Sequence, residues 1–265
     1  MKLRSAETNT ILVQGTVRKS KTEWLCPEEK LSLMVNGNPY TTTMRTPGDE
    51  EAHCRGILFT ENVYQGNAEP LYQIVEENKE GIITKINVEI ATHELGEGIH
   101  EKRNLLSVSS CGLCGKYEAD IRLNGTLSNK NMLPAKQVSA LFEKMAAQQV
   151  LFKENGGCHA AALFDSCFGI LTVKEDIGRH NAVDKCIGHV LRKNDAAKAI
   201  GLLVSGRVSY EIVSKCFIAG LPFLCSVSAP SSLSVRLCRE AGITLLAFCR
   251  DDRFTIYSGE QNIQF

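Results

Sequence analysis

Two cysteines three positions apart, in Ser109-Ser110-Cys111-Gly112-Leu113-Cys114-Gly115-Lys116, are the sharpest chemical feature of the chain. Glycines and serines around them predict a loop that can reach a partner, and Lys116 favours a thiolate. Four chemistries share this spacing. A structural zinc knuckle needs a second pair of ligands, and no other CxxC occurs. A thioredoxin-like dithiol opens a helix after a strand, whereas KYEADIRLNG reads poorly as an amphipathic helix. Two packed core cysteines fit badly among Ser and Gly. The fourth, which the residues favour, is a nucleophilic cysteine that carries sulfur as a persulfide, chemistry that requires an exposed thiolate.

A second constellation lies in three loops that each precede a helix pattern: Lys174 to His180, Ser205-Gly206-Arg207 and Ser228 to Ser232. Helix starts with free N–H groups, small residues and arginines suit phosphates, so Arg179, His180, Ser205, Gly206 and Arg207 are candidate anion ligands. Ordinary capping by Ser205 or Ser231, with Pro230 near the helix start, is the bland alternative. His180 and Asp184, four apart, read either as an orienting pair or as a solvated helix face. Cys158 and His159 are adjacent and point to opposite faces of a strand, which argues against a catalytic pair and for a structural or pocket-lining role. Phe248-Cys249-Arg250-Asp251-Asp252-Arg253 is a turn between two strand patterns. On the same edge its carboxylates could accept from guanine and its arginines could bind phosphate.

The elements that must position these residues follow from patterning. At 265 residues with 43% hydrophobic and 23% charged residues, the chain is an ordinary globular one of one or two domains. Thirty basic residues balance thirty acidic ones, so no bulk field gathers nucleic acid or anionic lipid. No apolar run approaches membrane-spanning length, and MKLRSAETNT is not a signal peptide, so a cytoplasmic protein is expected with its eleven cysteines as reduced thiols. Residues 10 to 17 alternate like a strand. LSLMV, Asn36-Gly37 and PYTTTM predict a type I′ hairpin, followed by a helix through Ala52, Ile57 and Leu58 and a strand in IITKINVEIA. These make a small α+β domain over residues 1–130, ending in the CxxC loop.

From residue 131 the order predicted is helix, strand, strand, helix, strand, helix, strand, helix, strand, a largely parallel sheet covered by helices. The first helix carries a stripe of Val138, Leu141, Phe142, Met145 and Ala146. Residues 131–265 thereby resemble the cytidine-deaminase-like fold, a three-layer αβα domain. Its zinc enzymes place H-x-E where the second helix starts and P-C-x-x-C where the third does. This chain has His180-Asn181-Ala182 and Ser205-Gly206-Arg207 there, so a His is present but the proton-shuttling Glu and the thiolate ligands are missing. A scaffold without a zinc site is expected.

SSCGLCG, NGGCHAAALFD, EDIGRHNAVDKCIG, SGRVSYEIVSK and AGITLLAFCRDDRFTIYSG, in this order, resemble the formate dehydrogenase accessory sulfurtransferase (FdhD) family over most of residues 105 to 258. The resemblance implies a homodimeric sulfurtransferase that takes sulfur from a cysteine desulfurase. The sulfur passes to the bis(molybdopterin guanine dinucleotide) molybdenum cofactor before that enters formate dehydrogenase. It further implies that Cys111 bears the persulfide, that Cys114 assists or resolves, and that Phe248 to Arg253 binds the cofactor or a GDP-like nucleotide. Two departures stand out: Asp251-Asp252 replaces a glycine-containing turn, and Cys158 replaces another residue before His159. A cofactor chaperone that holds no sulfur, and a thiol-disulfide oxidoreductase, are the rival readings.

Overall fold

The computed structural model describes residues 5–100 and 123–265. Cys111 and Cys114 lie outside the described residues. The chain opens with an antiparallel pair, β1 (Ala6–Gln14) and β2 (Val17–Leu25). The alternation read as one strand is thus two, folded back at Gly15, whose φ of 62° suits glycine. Next come β3 (Glu29–Val35), β4 (Asn38–Arg45), α1 (Glu50–Thr60), β5 (Leu71–Glu77) and β6 (Ile83–Glu89). They form a sheet of order β4-β3-β6-β5. Asn36 and Gly37 both have positive φ, 49° and 76°, as the expected type I′ turn demands. Leu31, Leu33, Ile86 and Val88 on one sheet face bury Cys54 and Leu58 of α1.

The rest of the chain gives β7 (Leu133–Pro134), α2 (Ala135–Gln148), α3 (Val150–Asn155), β8 (His159–Asp165), β9 (Ile170–Asp176) and α4 (Arg179–Arg192). Then follow β10 (Ala199–Val204), α5 (Tyr210–Ile218), β11 (Phe223–Ser226), α6 (Ser232–Ala241), β12 (Thr244–Arg250), β13 (Arg253–Ser258) and β14 (Ile263–Gln264). Six strands make one sheet, β13-β12-β11-β10-β8-β9. It is not largely parallel, as patterning suggested: only β10-β11 and β11-β12 pair in parallel, and the other three ladders are antiparallel. The short turns Asp165–Gly169 and Asp251–Asp252 are the reason, since a tight turn can only join antiparallel neighbours. One face packs on α4, α5 and α6, the other on α2, giving three layers. Cys186, Cys216 and Cys238 fill the first core and Cys225 the second, as hydrophobes do, while Ala146 of the α2 stripe is exposed.

α4 is buried on two sides. Its apolar stripe meets the large sheet, while Asn181, Asp184, Lys185 and Gly188 face α1 and the β3-β4 hairpin. A Cβ on Gly56 would overlap the Asp184 carbonyl, and one on Gly188 the Ala52 carbonyl, so two glycines permit backbone contact between the helices. Asp184, Lys185 and Lys215, caught in this seam, are paired. Lys185 Nζ lies 2.7 Å from Asp176 and donates to the Thr46 carbonyl, and Lys215 Nζ lies 2.7 Å from Asp184, which also accepts from Thr60. Asp184 therefore neither solvates nor orients His180, and both sequence readings of that pair are corrected.

The expectation of reduced thiols is also corrected at one place. Cys26 and Cys158, 132 residues apart in sequence, are joined in a disulfide with their Cα atoms 6.2 Å apart. The link between β2 and β3 runs beside the start of β8, a proximity that composition cannot reveal.

Candidate functional site

Because β8 is antiparallel to both β9 and β10, the ends of β9, β10, β11 and β12 share one edge of the large sheet with the start of β8. The edge is continuous. Val208 donates to Ala229 and Ser231 to Val208, the Phe248 N–H reaches Ser228, and Arg250 donates to the Val227 carbonyl at 3.0 Å. Arg179, His180, Ser205, Gly206 and Arg207 thus come together at the starts of α4 and α5, with Phe248 to Arg253 farther along the same rim.

Ser205 is not a helix cap. Its Oγ accepts from Ala160 N across the sheet at 2.9 Å and lies 3.4 Å from His159 Nδ1, while Ser209 takes the cap position of α5. Ser231 does cap α6, accepting from Ser234 N. Gly206 sits where a Cβ would stand 3.2 Å from His159 Nδ1 and 3.3 Å from the Arg179 side chain, so glycine keeps this floor open. His159, read from sequence as pocket-lining, is therefore part of the rim. Burial, then Arg179 and Arg207, hold its imidazole below the usual range, so it is neutral near neutral pH.

His180 Nε2 is 3.3 Å from Ser209 Oγ and 3.8 Å from the Glu211 carboxylate. Burial, Arg179 and Lys215 push its pKa down to about 4. Burial alone would raise Glu211, but the Ser209 hydroxyl, its own backbone N–H and His180 keep the carboxyl below the ordinary value. Ser209 and Glu211 were missed in the sequence reading; the Ser-Tyr-Glu run at the start of α5 was the available signal. Among the described residues none of Arg179, Arg207, Arg250 and Arg253 is in an ion pair, and Arg179 Nε is buried without a hydrogen-bond partner. Unneutralised guanidiniums beside neutral imidazoles and two helix starts make a rim suited to an anion.

The turn at the far end carries strain. Phe248 has φ 55°, a region costing a bulky residue roughly 1–2 kcal/mol, and its ring is 40% exposed. Asp251 and Asp252 both adopt positive φ, 52° and 56°, doing the work of a glycine-containing type I′ turn. Strain in an exposed aromatic beside two arginines is what a ligand clamp presents. Cys249 differs from its neighbours: its side chain is in the core and burial pushes its thiol up to about 12, so only its backbone is on the rim.

Comparison with known proteins places this geometry. The profile of the FdhD/NarQ family matches residues 26–264. The sulfur carrier protein FdhD of Streptomyces avermitilis is 38% identical, covering 96% of this chain and 93% of that protein. The sulfur carrier protein FdhD of Picrophilus torridus is 34% identical over 96% of this chain and 97% of its own. A crystal structure from Desulfotalea psychrophila, assigned as a formate dehydrogenase accessory protein, shares the fold with a TM-score of 0.75 at 21% identity, covering 98% of this chain and all of the other. With the family profile spanning residues 26–264 and relatives 34% and 38% identical over nearly their whole length, the chain belongs to the FdhD/NarQ family.

Proposed function

We propose that this chain is a sulfur carrier for formate dehydrogenase maturation, with Cys111 as the atom-bearing residue and the sheet-edge crevice as the seat of the acceptor. The observation that carries the reading is the match, over 96% of the chain, to proteins named for sulfur carriage. In the first step the Cys111 thiolate attacks the outer sulfur of a cysteine desulfurase persulfide. A new S–S bond forms at Cys111 and the desulfurase leaves as a thiolate. Cys114 then stands as an assisting or resolving thiol.

The acceptor is the bis(molybdopterin guanine dinucleotide) molybdenum cofactor, treated as cargo. The buried, unpartnered Nε of Arg179 and the unpaired guanidiniums along the rim fit its phosphates, and Phe248 with the Asp251-Asp252 turn fits a guanine. In the second step the Cys114 thiolate attacks Cys111 Sγ, so that a Cys111–Cys114 disulfide forms and the outer sulfur leaves as hydrosulfide to the acceptor. Holding that sulfur beside a bound acceptor makes the delivery effectively unimolecular, a gain of up to roughly 7–11 kcal/mol at ideal geometry. Helices on both sheet faces and strands ordered β9-β8-β10-β11-β12 support a deaminase-like scaffold turned to this use. The resemblance further supports a cytoplasmic homodimer. Among the described residues no helix is long and apolar enough to cross a membrane.

The test is incubation with a desulfurase and sulfur-labelled cysteine. Wild-type protein retains label, and Cys111→Ala, folded by circular dichroism, retains none. Full retention in that variant, or formate dehydrogenase maturation surviving loss of both Cys111 and Cys114, overturns the assignment and favours a chaperone.

A further inference from the structure

The β1-β2 hairpin is an arm with little to hold it. Two-stranded hairpins are marginal in water, and this one exposes Ile11, Val13, Val17 and Trp24 to solvent. Its two roots meet the end of α3 and the connection from α3 to β8. At the first, Ser5 donates to Glu154 at 2.6 Å and accepts from Asn155 at 2.9 Å. At the second, Cys26, directly after β2, is bonded to Cys158, directly before β8. Gly157 makes room for this approach: a Cβ there would stand 3.2 Å from that of Cys26.

The disulfide also touches the crevice. Cys158 is followed by His159 on the rim. Cys26 Sγ is 3.2 Å from Thr46 Oγ1, which accepts from Ile177 N in the segment leading to Arg179 and His180. With that oxygen occupied as acceptor, the Thr46 hydroxyl proton is free to donate to the sulfur, an interaction stronger on a thiolate than on a disulfide. Cys26 is partly exposed while Cys158 is buried, so a small reagent approaches the pair from the Cys26 side. Six of the other seven described cysteines are buried in the cores, and Cys167 is exposed without a partner sulfur.

We propose that Cys26 and Cys158 form a reversible redox site whose reagent is a low-molecular-weight disulfide, and that its oxidation fastens the β1-β2 arm to the crevice edge. In the forward direction the Cys26 thiolate attacks the small disulfide and expels one small thiolate. The Cys158 thiolate then attacks Cys26 Sγ in the mixed disulfide and expels the second. Two protein thiols give up two electrons and two protons, and the small disulfide becomes two thiols. With the bond reduced, the second root of the arm rests on non-covalent contacts alone.

The experiment uses the full chain equilibrated with oxidised glutathione or with dithiothreitol. Alkylation and peptide mapping are expected to show a linked Cys26–Cys158 peptide in the first case and both cysteines alkylated in the second, read separately from Cys111 and Cys114. Hydrogen exchange over residues 6–30 is expected to be roughly tenfold faster in the reduced form. Cys26→Ser should exchange at the reduced rate in either buffer, and Cys158→Ser should match it; the partly exposed position 26 keeps the test usable if the buried replacement misfolds. Absence of the linked peptide after glutathione treatment, or equal exchange of the arm in linked and reduced protein, overturns the proposal.

Discussion

Replacing Lys215 by methionine tests whether the seam between α1, α4 and α5 is held by its charges. Lys215 Nζ is 2.7 and 2.9 Å from the two Asp184 oxygens and 2.9 Å from Thr60 Oγ1, and the paired side chains are 7% and 4% exposed. Methionine fills the volume but strands the Asp184 carboxylate in a dry site. Breaking one side of a buried pair costs about 3–5 kcal/mol, a large share of the roughly 5–15 kcal/mol that stabilises a typical domain. Burial already raises the Asp184 carboxyl against the pull of Lys215, and losing Lys215 raises it further. The native state of the variant then binds a proton more tightly than the unfolded chain. Its deficit against wild type is accordingly largest near neutral pH and shrinks as pH falls towards the ordinary aspartate value. Urea unfolding at pH 7 and pH 5 reads both effects, and Asp184→Asn with Lys215→Met should recover most of the loss. A deficit under about 1 kcal/mol at pH 7, or one that grows on acidification, would refute the reasoning.

Other outcomes follow from the same geometry. His180, held near 4 against an ordinary 6.5, stays neutral in the fold while the unfolded chain takes up a proton. Stability should therefore fall from about pH 6.5 to about pH 4, by up to about 3 kcal/mol from this residue. His53, fully buried and pushed well down by burial and then Lys185, adds to the same loss. Thermal melts across this range should show the decline, and it should be smaller in His180→Gln. Gly188→Ala should destabilise by about 1–3 kcal/mol despite the better helix propensity of alanine, because its Cβ meets the Ala52 carbonyl; a raised Tm would show that α1 and α4 are not in contact. Arg207→Ala and Arg253→Ala should each weaken GDP binding by about tenfold, measured by calorimetry, and unchanged affinity removes that arginine from the site.

Much of this arrangement was legible before the fold was known. Helices and strands from Ala135 to Ser258 follow the predicted order, except that the first predicted helix is broken at Gln149 into α2 and α3, because most of them carry an apolar period of their own, and Asn36-Gly37 announces its hairpin by local chemistry. What escaped the sequence depends on partners distant along the chain. The polar side of α4 looks solvated until Thr43, Thr46, Thr60 and Lys215 are brought against Asn181, Asp184 and Lys185. The antiparallel share of the sheet rests on turn lengths rather than strand composition. The arm escaped because Gly15 interrupts an alternating run only briefly, and the Cys26–Cys158 bond because 132 residues separate its halves. At the rim, the arginines, the helix starts and the Ser-Tyr-Glu run were readable, whereas the approach of Glu211 to His180 and the strain at Phe248 needed three dimensions.

The most direct test of sulfur carriage is the mass of the peptide containing Ser109 to Lys116 after the protein is incubated with a cysteine desulfurase and cysteine. The account predicts a gain of one sulfur atom, localised to Cys111 by fragmentation and removed by dithiothreitol. A Cys111 peptide that stays unmodified under conditions where the desulfurase itself is persulfidated would contradict it.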